Sequence, residues 1–179
     1  MTVVRVIGCG NPDAGDDGAG IVAVERARRA LESIPGVEVL PSVSPVDVVH
    51  HLDGSDGVVV ADAIRTPGGT RRPGTVVRAV AGPEGLPAEI RSSLSSHGFG
   101  VVEAFGLVRA IGPVPRLVLV GVEAEETAAG RPMSHAVREA LPDLVESVVR
   151  EARGLAAQVE RAPTGGSSGP LPGEERLAR

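Results

Sequence analysis

Three acidic side chains and one histidine stand where the chain could do chemistry. Gly8 to Gly20 is a loop rich in Gly and Asp, and it carries the adjacent pair Asp16 and Asp17. Two neighbouring carboxylates repel each other unless something positive or a set of N–H donors balances them. A divalent cation is one answer, and the N-terminus of the following helix is another. For Asp16 a helix cap is as good a reading as a site role. One cap suffices, so Asp17 is the candidate for a metal or catalytic role. Asp62 follows the apolar run Val58–Ala61 and is either the first solvated residue of a loop or a site residue. His97 lies in a loop between Ser96 and Gly98. Alone it would be an ordinary surface histidine. Two carboxylates and an imidazole together suit zinc or nickel.

The other candidates read as structural. His50 and His51 close a helix, where basic groups favour the dipole. His135 opens the last helix and belongs on the surface. Cys9 has no basic neighbour in sequence to lower its pKa, which argues against a nucleophile, and it has no thiolate partners for a structural zinc. Glu123 ends an apolar strand beside Glu125 and Glu126 and reads as part of a solvated acidic loop. A dinucleotide fingerprint starting at Gly8 would need glycine at position 13, where Asp13 stands. A phosphate-binding Walker loop needs lysine, and all 18 basic residues are Arg.

The elements that must hold these residues alternate between strand and helix. Val3–Ile7, Val37–Leu40, Val58–Ala61 and Leu117–Val122 read as strands, most of them apolar throughout. Thr75–Val80 alternates like a half-exposed edge strand. Helices are predicted over Ile21–Leu31, with Ile21, Val24 and Leu31 inward, and over Pro45–Leu52, Gly100–Ile111 and Ser134–Leu155, the last interrupted near Pro142. Alternation of this kind argues for a three-layer α/β/α domain. Sites in such sheets form beyond the carboxyl ends of the strands, where Asp17 and Asp62 fall. Residues 1–160 read as this one domain. The Gly-, Ser- and Pro-rich stretch 161–179 reads as a disordered tail.

Composition narrows the function classes. Aromatic residues are only 1%, which weakens readings that need base or sugar stacking. The arginines are scattered and the net charge is −5, so no nucleic-acid stripe is expected. No apolar run approaches the ~20 residues of a membrane span. A single cysteine and the absence of a signal-peptide pattern suit a cytoplasmic protein. No long apolar surface helix is left over, which favours a monomer.

The runs VIGCGNPDAGDDGAGIVAVERA, VVVADA, SSHGFGVVEAFGLVRAIG and LVLVGVEAEE resemble, in order, the four blocks of the hydrogenase maturation proteases. The resemblance covers about Val3 to Arg153. It implies a mixed, mostly parallel five-stranded sheet in the order 2-1-3-5-4, with strand 4 antiparallel. It further implies an endopeptidase that removes a C-terminal peptide from the precursor of a nickel-iron hydrogenase large subunit after nickel insertion. The family's metal-contacting residues fall on Asp17, Asp62 and His97, which are then both the catalytic and the metal-binding candidates. At Asp17 this chain has the shorter acid where relatives often carry Glu. Nickel would arrive with the precursor, other divalent ions taking its place in the isolated protein. The metal would polarise the scissile carbonyl or activate a water, or Asp17 or Asp62 would act as general base. A non-catalytic nickel-sensing chaperone and a small-molecule hydrolase are the competing readings on this fold.

Overall fold

The computed structural model describes residues 3–41, 45–81, 85–87 and 101–161. His97, the loop around it, the predicted helix start at Gly100 and the stretch 162–179 lie outside the described residues.

Five strands form one sheet: β1 (Val4–Gly8), β2 (Val37–Pro41), β3 (Gly57–Ile64), β4 (Val76–Val80) and β5 (Arg116–Glu123). Their order is β2-β1-β3-β5-β4. All neighbours are parallel except β4, which runs antiparallel to β5. The implied topology is thus the observed one. Among the described residues, four α-helices pack with the sheet: α1 (Ala19–Glu32), α2 (Pro45–Leu52), α3 (Val101–Ile111) and α4 (His135–Arg161).

Side chains alternate across each strand, so the central strands feed two apolar layers. Val4, Val6, Val59, Val118 and Val120 face α1 and α4. Ile7, Val58, Val60, Leu117 and Leu119 face α2 and α3. Burial on both faces explains why β3 and β5 read as unbroken apolar runs.

Four elements differ from their predicted form, each for a physical reason. Helix α1 starts at Ala19, and its buried face is Ala19, Gly20, Ala23, Val24, Ala27 and Leu31. Ile21 is only half-buried. Small residues face the sheet because the helix approaches so closely: a Cβ on Gly20 would lie 2.2 Å from the Ala61 carbonyl oxygen. Strand β3 does not stop before Asp62; it continues to Ile64, with Asp62 paired to Gly121 and Ile64 to Glu123. Pairing with the long β5 outweighs the low strand propensity of Asp. Helix α4 is unbroken from His135 to Arg161 with Pro142 inside it. Pro142 is exposed while Leu141, Leu144 and Val148 are buried, so burial of one continuous face carries the helix past the proline. The strand ending in Glu123 does not lead into a solvated acid, since Glu123 is 97% buried from solvent by its 3% exposure.

Arg5, the one charge in β1, also finds a purpose. Its guanidinium donates to Glu38 Oε2 (3.0 Å) on β2. It also donates to the carbonyls of His51 (3.1 Å) and Asp53 (2.8 Å) and to Ser55 Oγ (3.0 Å). It thereby satisfies the carbonyl end of α2.

Candidate functional site

β1 is where the strand order reverses: the chain leaves it for β2 on one side, and β3 lies on the other. Such a point opens a crevice at the carboxyl end of the sheet. Pairing of β1 with β3 ends at Gly8 opposite Ala61, followed by a last bond from Cys9 N–H to the Ala61 carbonyl (2.8 Å). Asp62 is therefore the first β3 residue past the end of β1. Alternation places it on the side of Val58, Val60 and Ile64, towards the layer of α2 and α3.

The glycine loop delivers the second acid. Its tight course depends on Gly10, at φ +119°, where a Cβ would sit 1.7 Å from the Asp17 carbonyl oxygen. Residues Gly15–Gly18 make one 3-10 turn ahead of α1. Asp17 is half-buried, and its Oδ2 accepts the Asn11 N–H at 2.8 Å. Cys9 is bonded to the strand of Asp62 and Asn11 to the side chain of Asp17, so the two carboxylates flank a single three-residue segment.

Their proximity registers in their chemistry. Burial, followed by the charge of Asp17, raises the Asp62 pKa to about 8, against a small lowering by the Ala63 backbone. The carboxyl group of Asp62 therefore holds its proton near neutrality. Burial also pushes the Cys9 thiol well up, with Asp62 and Asp17 adding to the effect. Cys9 is a protonated thiol in a carboxylate-lined, buried setting, which is the opposite of an activated nucleophile.

Asp16, next to Asp17, does something else. It is completely buried and caps nothing in its own helix. Its oxygens accept N–H groups from Glu125 and Glu126 in the loop after β5, and from Ser134 at the start of α4. Glu123 is similarly committed: its two oxygens take the Thr66 N–H and hydroxyl, both at 2.7 Å. The acidic-loop reading of Glu123 is corrected by that pair. Nothing in the local sequence marks either residue, because the donors lie 57 to 118 positions away. His50 and His51 sit in the last turn of α2 as expected. Partial burial and then Arg5 lower the His51 pKa. His135 is exposed.

The sequence model of the hydrogenase maturation protease family (HycI) matches residues 28–151, more than half of the chain. The chain belongs to the hydrogenase maturation proteases. This protease is 29% identical over 171 residues to the hydrogenase expression/formation protein HupD of Rhizobium leguminosarum bv. viciae, covering 94% of its own length and 83% of that protein's. The hydrogenase maturating endopeptidase HybD from E. coli superposes with a TM-score of 0.68 at 23% identity, over 86% of this chain and 93% of that one. An endopeptidase from Escherichia coli, solved in solution, gives 0.69 at 26% identity, over 84% and 94%. The protease also shares its fold with HybD from Thermococcus kodakarensis (0.64, 24% identity, 84% and 99%).

The family match spans Asp62 and the position of His97 but begins after the glycine loop. Asp17 is tied to this site by its bond to the Asn11 N–H and by the effect of its charge on Asp62. Among the described residues no three His, Cys, Asp or Glu side chains form a group able to hold a metal ion. Asp17 and Asp62 come together; His97 lies outside the described residues, four positions before α3. Among the described residues no helix is long and apolar enough to cross a membrane.

Proposed function

We propose that this protease removes the C-terminal peptide of a nickel-iron hydrogenase large-subunit precursor once nickel has been inserted. The observation that carries the reading is the pairing of Asp17 and Asp62 at the sheet's switch point, with Asp62 raised to about 8. Two carboxyl groups so placed are poorly balanced on their own, and a docked cation would balance them. Oxygen donors, with an imidazole as third donor, suit nickel. His97 is proposed as that donor, carried by the segment leading into α3. The nickel is substrate-borne, and isolated protein would accept other divalent ions.

Asp62 gives up its proton when a positive centre docks beside it, because the charge reverses the cause of its raised pKa. Asp17, fixed by the Asn11 N–H, supplies the second oxygen. Nickel in this position polarises the scissile carbonyl or the attacking water. Either carboxylate can then move the proton of the water as general base. A precursor lacking nickel leaves Asp62 protonated and the pair incomplete, so cutting reports successful insertion. The single free cysteine, Cys9, suits a reducing cytoplasm, and the protease is proposed to act there as a monomer.

The test is to mix the protein with nickel-loaded and nickel-free precursor and to measure precursor mass. Loss of a short C-terminal peptide is expected only with nickel, and Asp17→Ala, Asp62→Ala and His97→Ala should each reduce the rate by at least ~100-fold. Unchanged mass with a stable complex would favour the nickel-sensing chaperone. Cleavage indifferent to nickel would overturn the proposal.

A further inference from the structure

We infer that Asp16 is a positioning residue, which holds Asp17 on the rim by joining the loop after β5 and the start of α4 to the glycine loop. The inference rests on the role proposed for Asp17. Asp16 Oδ2 accepts N–H groups from Glu125 (2.8 Å) and Glu126 (2.9 Å), and Oδ1 accepts that of Ser134 (2.6 Å). The Asp16 N–H itself donates to the Glu126 carbonyl at 2.7 Å. A carboxylate this deep persists only when its lone pairs are taken, and among the described residues no buried side-chain N or O atom is left without a partner.

A helix cap would spend its bonds on the turn that follows it. Asp16 spends its bonds 109, 110 and 118 positions away. Two neighbours strengthen the same junction. The Gly130 N–H donates to the Asp13 carbonyl at 2.7 Å. Gly15, at φ +59°, packs so closely that a Cβ would meet the Glu126 carbonyl oxygen at 2.5 Å. One residue further on, Asp17 turns the other way, towards Asn11. The anchor on the adjacent residue therefore holds the backbone from which Asp17 reaches the Asn11 N–H, and that anchor belongs to two remote segments. Displacement of a reacting group by about 1 Å can cost on the order of 100-fold in rate.

The experiment compares Asp16→Asn, which keeps the shape but replaces one acceptor with an amide N–H₂, with Leu144→Ala, a buried change in the middle of α4. Glu126→Pro, which deletes one of the three donors, is the second variant should Asp16→Asn not fold. Asp17→Ala reports on the underlying reading. Cleavage of nickel-loaded precursor is followed at a temperature well below every melting midpoint, with kcat and KM separated. Nickel affinity of the free protein is measured by calorimetry. The expected result for Asp16→Asn is a fall in kcat of ~100-fold, little change in KM and weaker nickel binding. Glu126→Pro should move the same way by less, and Leu144→Ala should lower the melting midpoint while leaving kcat and nickel affinity intact. If Asp17→Ala still cleaves, the site reading itself is sunk. If Asp17→Ala is dead while Asp16→Asn behaves like Leu144→Ala, Asp16 is only structural and the inference is overturned.

Discussion

Asp62 is costly to keep, and its cost depends on pH in a way that can be read in a melting curve. Its pKa is about 8 in the folded protein against an ordinary 3.8. Between those values the native state holds a proton that the unfolded chain has released, so the contribution of this group to stability falls as pH rises through that window. Above about pH 8 both states are ionised and the native state bears the cost of a half-buried charge beside Asp17. Asp62→Asn is neutral at every pH. Its melting midpoint should exceed that of the unmodified protein at pH 9 by several degrees, with a smaller gap at pH 5 (thermal unfolding of both proteins in matched buffers). A gap that stays constant with pH would mean Asp62 is not raised. The acids also mark what single-residue reasoning could see. Asp17 stands out because one cap suffices for the helix after the glycine loop, and Asp62 only when counted together with Asp17 and His97, since an acid that ends an apolar strand is by itself as readily a loop residue. Asp16 reads in sequence as a cap or a site residue and Glu123 as part of a solvated acidic loop, and it is backbone N–H groups of distant segments, with the Thr66 hydroxyl, that make them interior residues.

At the scale of elements, periodicity found the strands and helices, and errors arose where tertiary pairing overrode a local signal. β3 runs past Asp62 because β5 offers it partners up to Glu123. α4 runs past Pro142 because Val137, Leu141, Leu144, Val148, Ala152 and Leu155 are buried along one stripe. The proline is the eighth residue of that helix, beyond the first turn in which it would be tolerated without loss. It removes one helical hydrogen bond and crowds the preceding turn on the solvent side. Replacing it should therefore help: Pro142→Ala is expected to add about 1–3 kcal/mol of stability, or ~2–4 °C in melting midpoint per kcal/mol for a chain of this size. Differential scanning calorimetry checks this. A lower midpoint would mean that Pro142 favours the course by which α4 lies on the sheet.

At the scale of the molecule, the candidate site occupies one end of the sheet. The order of the strands came from resemblance, since alternation of strand and helix alone does not say which side of β1 each crossover takes. Asp62 is level with Gly121, and Arg116 is level with Gly57 at the other end of the same pair of strands. Five residue steps along the strands separate them, about 17 Å. A cavity of about 320 Å³ lies at that far end, lined in part by Arg78, Arg116, Glu151 and Gln158. Its polar groups are partnered within the cavity: Arg78 pairs with Glu151 at 2.9 Å, and Arg116 donates to Gln158 at 3.1 Å. The Arg78 side chain is 52% exposed, and an ion pair of that kind contributes about 0–1 kcal/mol. Glu151 keeps Arg150 within 3.7 Å when Arg78 is removed, so no charge is stranded. Arg78→Ala should thus cost less than about 1 kcal/mol in denaturant unfolding and leave kcat/KM for the precursor within about twofold of the unmodified protein. A tenfold loss of cleavage with the fold intact would show that the precursor reaches around the sheet to this end, and the rim alone would no longer account for recognition.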